Sequence, residues 1–133
     1  MDFVADTTFL VGLWRRQAWA LSFAHREAEK SIGIPWVVLG EFWHGAHAAG
    51  HDSMRVESFL QLGIHLVDPL PVIPVYAQLC AELQRSTQEY RMIGQNDLWI
   101  AASALAVRRP LVTRNQRHFR CIRDLQLNVL NAA

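Results

Sequence analysis

Residues 92–105 of the chain read Met-Ile-Gly-Gln-Asn-Asp-Leu-Trp-Ile-Ala-Ala-Ser-Ala-Leu. The segment Gly94-Gln95-Asn96 is typical of a turn and a helix N-cap. Residues 98–107 are apolar at nearly every position, which predicts a helix that neighbouring elements cover on more than one face. Asp97 stands at the start of this helix, so we expect its carboxylate to lie at the mouth of a buried region.

The composition is typical of a globular protein. The 133 residues are 51% hydrophobic, and this length predicts a single domain over residues 1–133. No apolar segment approaches the roughly 20 residues that a membrane-spanning helix needs, and the N-terminus lacks the pattern of a signal peptide. The two cysteines, Cys80 and Cys121, lie far apart in apolar surroundings, which suits a reducing compartment. We therefore expect a cytoplasmic protein that does not associate with membranes.

Positive charge is concentrated near the end of the sequence. The net charge is only +1, yet residues 108–123 contain six arginines and no acidic residue. Arginine binds phosphate or carboxylate groups through two parallel hydrogen bonds. This segment could therefore contact RNA or an acidic protein, and an ordinary solvated surface is the alternative.

Short apolar segments alternate with segments of helical pattern along the chain. Strands are predicted at residues 2–6, 33–39, 64–67, 110–113 and 125–130. Helices are predicted at residues 9–14, with residues 7–8 as the cap, and at residues 17–30, 41–50, 52–62, 72–89 and 98–107. A rigid turn is predicted at 68–71 and a loop or single helical turn at 114–119. This alternation predicts the α/β class, in which helices cover both faces of a parallel sheet.

Three acidic residues are expected at one edge of this sheet. Asp6 ends the first strand, Glu41 follows the second, and Asp97 opens the helix that leads into the fourth. Thr113 and Asn115 leave the fourth strand at the same edge. Because ligand sites in such sheets form beyond the carboxyl ends of the strands, we expect these side chains to share one site.

Carboxylates crowded at one sheet edge repel one another, and a divalent cation relieves that repulsion. Oxygen ligands favour Mg²⁺ or Mn²⁺, whereas zinc prefers histidine and cysteine. Such an ion can activate water for phosphodiester hydrolysis and offset the charge of the phosphate. The sequence is therefore consistent with a metal-dependent nuclease.

Other interpretations of these acids remain open. Glu41 and Asp97 lie in predicted first helical turns, where an acid stabilises a helix by about 0.3 to 1 kcal/mol, and Asp6 could be an N-cap. Glu41 and His44 also show the Glu-x-x-His spacing of di-metal carboxylate bundles. That spacing does not recur in the chain, so we favour histidines without a metal role.

Four segments resemble the motifs of the PIN domain, in order and at suitable spacing over almost the whole chain. They are Val4-Ala5-Asp6-Thr7-Thr8, Gly40-Glu41-Phe42, Gly94-Gln95-Asn96-Asp97-Leu98-Trp99-Ile100-Ala101-Ala102 and Leu111-Val112-Thr113-Arg114-Asn115. The third segment with its run into the fourth is the specific part, and it most resembles the VapC-type toxins of bacterial toxin-antitoxin pairs. The resemblance implies a three-layer α/β/α sandwich with a central, mostly parallel sheet of four to five short strands. It also implies a Mg²⁺- or Mn²⁺-dependent ribonuclease that forms a homodimer and is inhibited by a small VapB-like antitoxin.

The resemblance also assigns roles to residues. The acids expected to bind metal and carry catalysis are Asp6, Glu41 and Asp97. The supporting positions are Thr7, Asn96, Thr113 and Asn115. Independently of the resemblance, the side chains and their positions near the expected site make these residues candidates for RNA contact: Trp14, Arg114, Arg117 and His118.

Asn115 departs from the family pattern, because many PIN nucleases carry a fourth acid at this position. Three carboxylates in place of four lower the formal charge of the site from −4 to −3. We therefore expect one tightly bound ion. Two alternatives to a toxin remain: a PIN-fold RNA-processing nuclease without an antitoxin, and a catalytically silent PIN-fold binding subunit, which Asn115 makes plausible.

Overall fold

Strands and helices alternate along residues 1–85 and 93–130, the parts of the chain that the computed structural model describes. The strands are β1 (Phe3–Ala5), β2 (Ile32–Ile34), β3 (Ile64–Leu66), β4 (Leu111–Thr113) and β5 (Leu127–Val129). The helices are α1 (Thr7–Trp14), α2 (Ala18–Arg26), α3 (Trp36–Ala48), α4 (Ser53–Leu60), α5 (Pro69–Gln84), α6 (Gln95–Val107) and α7 (Gln116–Phe119). The alternation follows the order that the sequence predicts.

The strands form one parallel sheet in the order β3-β2-β1-β4-β5. Val4 in β1 pairs with Gly33 in β2 on one side and with Leu111 in β4 on the other. Successive side chains of a strand point to opposite faces of the sheet. Val4 and Ala5 are both fully buried, so both faces of β1 are covered. The chain is thus an α/β/α sandwich, as predicted, and all four strand pairs are parallel.

The helices pack around the sheet in two connected groups. Helix α6 packs extensively against α5 and also contacts α3, while α1 contacts α2 and α3. The buried residues of α6 occur on several sides of the helix and are Leu98, Ile100, Ala101, Ala102, Ser103 and Ala104. This burial confirms that α6 is covered on more than one face. Within the described residues, no helix combines the length and apolarity that crossing a bilayer requires.

The second strand is shorter than the sequence predicts. Strand β2 ends at Ile34, Pro35 is the N-cap of α3, and residues 36–40 are helical. The strand predicted over residues 33–39 was correct for residues 33–34 and wrong for residues 35–39, because a short apolar run does not distinguish a buried strand from a buried helix. Glu41 is consequently the sixth residue of α3, in its second turn and not in its first.

Three helices also begin earlier than predicted. Helix α1 starts at Thr7 with Asp6 as its N-cap, so residues 7 and 8 are part of the helix. Helix α5 starts at Pro69 with Asp68 as its N-cap, so residues 68–71 are not a separate turn. Proline is tolerated there because the N–H groups of a first helical turn have no partner within the helix. In α6 the N-cap is Gly94, and residues 95–96 are already helical. The predicted helical residues 86–89 lie outside the described residues.

Candidate active site

The candidate site lies at the carboxyl ends of two neighbouring strands, β1 and β4. Strand β1 is followed in the sequence by β2, and β4 is followed by β5. In the sheet, β2 and β5 lie on opposite sides of the neighbouring pair β1 and β4. A crevice forms between two such strand ends, where open α/β sheets bind their ligands. Asp6 directly follows β1 and Thr113 is the last residue of β4. Strand pairing therefore brings together two residues that are 107 positions apart in the sequence.

The Asp6 carboxylate is buried and held by hydrogen bonds. Asp6 is only 4% exposed. Oδ1 accepts hydrogen bonds from the Thr8 hydroxyl at 2.8 Å and from the Phe9 backbone N–H at 3.0 Å. Oδ2 accepts one from the Thr113 hydroxyl at 2.5 Å. Asp6 is thus the N-cap of α1, and the same contacts fix its carboxylate at the edge of the sheet.

Burial raises the pKa of the Asp6 carboxyl above its ordinary value of 3.8. The hydrogen bonds from Thr113, Phe9 and Thr8 act in the opposite direction, because they stabilise the charged form. The negative charge of Asp97 raises the pKa further. Ionising Asp6 is therefore less favourable here than in water, and nearby positive charge would lower that cost.

Asn115, Thr113 and Asp6 are linked by two consecutive hydrogen bonds. The Asn115 backbone N–H donates to Thr113 Oγ1 at 2.8 Å, and the Thr113 hydroxyl in turn donates to Asp6. Thr113 is fully buried, so its hydroxyl has no access to water as an alternative partner. Thr113 therefore orients the Asp6 carboxylate, which agrees with its predicted supporting position.

Asp97 lies in the first turn of α6 and contacts His118 from α7. His118 Nδ1 is 2.8 Å from Asp97 Oδ2, and since a carboxylate only accepts, Nδ1 carries the proton. The Asn115 side-chain nitrogen is 3.0 Å from His118 Nδ1 and 3.3 Å from Nε2. Because Nδ1 is already a donor, the Asn115 amide can donate only to Nε2. Asn115 thus holds the histidine that faces Asp97.

Glu41 reaches this site from α3 through Thr7. The Thr7 hydroxyl donates to Glu41 Oε1 at 2.9 Å, and Glu41 is exposed. Within residues 1–85 and 93–130, no three His, Cys, Asp or Glu side chains are close enough together to hold a metal ion. Asp97 is close enough to Asp6 for its charge to raise the pKa of Asp6. Glu41 instead contacts Thr7, the residue that follows Asp6.

The chemistry of the Asp6 and Asp97 pair fits a hard divalent cation. Mg²⁺ in proteins is usually held by one or two carboxylates and keeps several of its water molecules. A cation at this position would also offset the burial and the negative charge of Asp97, which both raise the pKa of Asp6. Two carboxylates and water thus form a suitable set of oxygen ligands.

Three other residues singled out from the sequence lie apart from these hydrogen bonds. Asn96 on α6 and Arg117 on α7 are exposed. Trp14 is half-buried, and its indole contacts four side chains from the region of α3 and α4: Phe42, His51, Arg55 and Phe59. Trp14 therefore packs in an aromatic cluster, and its contact with RNA stays a prediction.

Two residues near the site were missed by the sequence prediction. Thr8 donates to Asp6, and its place two residues after an N-cap candidate was a usable signal. Trp19 lies beneath the guanidinium of Arg114, with Arg114 Cζ 4.6 Å from the ring centroid. Nothing in the sequence near Trp19 indicates this contact, because it depends on how α2 packs beside the end of β4.

The family of this chain follows from a sequence match over nearly its whole length. Residues 3–124 match the PIN domain family. The chain belongs to the PIN domain family. The match includes Asp6 after β1, Glu41 on α3 and Asp97 at the start of α6, the three acids described above.

Individual relatives agree with this assignment. A segment of 36 residues is 53% identical to ribonuclease VapC1 from Haemophilus influenzae strain R2866, and it spans 27% of this chain and 27% of that relative. The fold is similar to VapBC2 from Rickettsia felis bound to a DNA fragment from its promoter, with a TM-score of 0.81, 25% identity and coverage of 98% and 100% of the two chains. It is also similar to VapBC-1 from nontypeable Haemophilus influenzae, with a TM-score of 0.78, 23% identity and coverage of 97% and 98%. These structures share the PIN fold of this chain.

Proposed function

We propose that this chain is an endoribonuclease that hydrolyses RNA phosphodiester bonds with Mg²⁺ or Mn²⁺, and that it is the toxin of a VapBC-type pair. The observation that carries the proposal is the buried, hydrogen-bonded carboxylate of Asp6 beside the charge of Asp97. A pair of acids placed in this way in a PIN domain attracts a divalent cation. The relative named VapC1 is a ribonuclease, which supports RNA as the substrate class.

Asp6 and Asp97 would hold the ion, and Glu41 would face it through water. When bound, the ion supplies positive charge that stabilises the phosphate in the transition state and lowers the pKa of water. Thr113 keeps Asp6 in one orientation through its hydroxyl. His118 does the same for Asp97, so each acid has its own positioning residue.

Asn115 distinguishes this site from a four-acid PIN site. Its side chain is directed to His118 and its backbone N–H to Thr113, so it contributes donors and no negative charge. We therefore propose one tightly held ion. The same residue is the observation that favours a catalytically silent binding subunit as the second candidate function.

RNA cleavage by the purified protein tests the proposal. We expect cleavage with Mg²⁺ or Mn²⁺ and none with EDTA, and we expect Asp6→Asn to lower the rate by about a thousandfold, or about 4 kcal/mol of transition-state stabilisation. Glu57→Gln, which removes an exposed acid on α4, is the matched control and should cleave like the wild type. Cleavage that is equal in EDTA, or unchanged by Asp6→Asn, would contradict the proposal. Failure of the wild type to cleave any RNA would favour the silent subunit.

We propose further that the chain forms a homodimer and is covered by a small antitoxin. The structures named above are VapBC complexes, and the one from Rickettsia felis is bound to a DNA fragment from its promoter. Four large apolar side chains are exposed in α3, α5 and β3. Trp36 at the start of α3 is 44% exposed and Leu66 on the edge strand β3 is 53% exposed. Leu70 and Ile73 in the first turns of α5 are 73% and 50% exposed. Exposed apolar area of this kind is typical of an interface. A small open reading frame beside the gene, whose product co-purifies and stops cleavage, would distinguish a toxin from a processing nuclease.

A further inference from the structure

A groove beside the acidic site carries positive charge of its own. Its volume is about 510 Å³, and its lining residues come from α1, the start of α2 and the end of β4: Thr7, Thr8, Val11, Arg15, Gln17, Trp19, Arg114 and Asn115. We refer to these residues as the arginine groove. Two of them are arginines and none is acidic, so the groove is cationic although the neighbouring site is anionic.

The arginine groove adjoins the acidic site directly. Thr7 and Thr8 belong to both, because their hydroxyls donate to Glu41 and to Asp6 while their side chains line the groove. The groove is therefore placed to receive a neighbouring phosphate of a polyanion that has one phosphate at the Asp6 carboxylate.

The aromatic floor of the groove is held in a fixed position. The Trp19 indole N–H donates to Gln17 Oε1 at 3.0 Å, and the ring packs edge-on against Phe9. A Cβ atom on Gly12 would lie 2.6 Å from Trp19 Cζ2, so the ring rests on helix α1 only because residue 12 has no side chain. Arg114 then lies over this ring, with Cζ 4.6 Å from the centroid. Trp19 thus orients the guanidinium of an otherwise exposed arginine.

We propose that the arginine groove binds the backbone of single-stranded RNA next to the bond that is cleaved, with Arg114 and Arg15 contacting phosphate and Trp19 positioning Arg114. This inference rests on the proposed ribonuclease function. A guanidinium matches a phosphate through two parallel hydrogen bonds, and stacking on an aromatic ring leaves its N–H edge free to make them. The two arginines offset the repulsion that an RNA strand meets on approaching Asp6 and Asp97.

A binding experiment with a mixed-sequence single-stranded RNA 20-mer tests this inference. The RNA is bound to the Asp97→Asn protein in Mg²⁺, so that the strand stays intact, and the affinity is measured over a range of salt concentrations. Arg15→Gln and Arg114→Gln should each weaken binding about tenfold. Each should also lower the slope of log affinity against log salt by about 0.7, the value for one lost phosphate contact on a single strand.

Arg55→Gln is the matched control, because Arg55 also stacks on a tryptophan, Trp14, with Cζ 5.2 Å from the ring, and lies outside the groove. It should leave the affinity and the salt slope unchanged. An arginine that only ties α2 to β4 would, on removal, lower the melting temperature without changing the slope. Trp19→Phe keeps a smaller ring beneath Arg114 and should lose less affinity than Trp19→Ala.

The remaining outcomes separate this inference from the proposed function. If the wild type cleaves the 20-mer and the Arg15 and Arg114 variants bind like Arg55→Gln, the groove assignment is wrong and the ribonuclease stands. If a polyglutamate peptide, but not RNA, depends on the two arginines, the groove receives an acidic protein segment and the assignment is again wrong. If the wild type neither binds nor cleaves RNA, both proposals fail.

Discussion

The two acids of the site lie in opposite surroundings. Asp6 is 4% exposed, accepts three hydrogen bonds and follows a central strand. Asp97 has a side chain that is 26% exposed and contacts His118, whose own side chain is 47% exposed. The strand end therefore supplies a fixed, desolvated carboxylate, and the helix start supplies one that water can reach.

This difference has a physical consequence. A buried charge depends on its hydrogen-bond donors, since water cannot replace them, whereas an exposed pair loses little when one partner is removed. We therefore expect changes around Asp6 to affect both stability and cleavage. Changes around Asp97 should affect cleavage with little effect on stability.

The largest stability effect is expected for Thr113→Val. This change keeps the shape of the side chain but leaves Asp6 Oδ2 and the Asn115 backbone N–H without their partner. We expect the free energy of unfolding to fall by about 2 to 3 kcal/mol, measured by chemical denaturation. Thr113→Ser keeps the hydroxyl and should recover most of the loss. Equal stability of the valine and serine variants would show that the hydroxyl does not hold Asp6.

A pH series should reveal the cost of charging Asp6. Because the pKa of Asp6 is raised on folding, its protonated form favours the folded state. This contribution is fully present below the unfolded pKa of about 3.9 and is lost as the pH rises through the folded pKa. In EDTA, the stability of the wild type relative to Asp6→Asn should therefore fall as the pH rises above about 4, by at most about 1.4 kcal/mol per pH unit. A relative stability that rises over this range would mean that the hydrogen bonds outweigh burial.

The smallest effect is expected for Asp97→Asn in the metal-free protein. The asparagine oxygen can still accept from His118, and one negative charge near Asp6 disappears. We expect the protein to become slightly more stable, by less than about 1 kcal/mol, while cleavage is abolished. If the melting temperature falls and cleavage persists, Asp97 acts only through the dipole of α6.

Most strands and helices could be predicted from the sequence, and the largest error lies directly after β2. The run after β2 was predicted as strand because Val37, Val38 and Leu39 are apolar and two of them are β-branched. The only nearby residue that favours a helix is Pro35, and it does not decide between the two, because proline is compatible with the start of a helix and with a strand. Packing of α3 against α1 and α6 decides the outcome, and this packing is not visible in seven residues.

The site was predicted in part. Asp6, Asp97, Thr113 and Asn115 could be placed at one sheet edge, because parallel strands end at the same edge whatever their order. Their metal-binding and catalytic roles remain predictions, as does the role of Glu41. The individual partners could not be predicted, because a hydrogen bond such as that from Thr113 to Asp6 requires β4 to lie next to β1.

The sequence by itself determined the alternation of strands and helices, the position of Asp6 at a strand end and that of Asp97 at the start of an apolar helix. These features are local, since they depend on periodicity and on capping within a few residues. Only the tertiary structure decided that β1 lies between β2 and β4, that Asp6 is buried and that Arg114 lies on Trp19. Each of these contacts joins residues far apart in the chain, and long-range packing selects them.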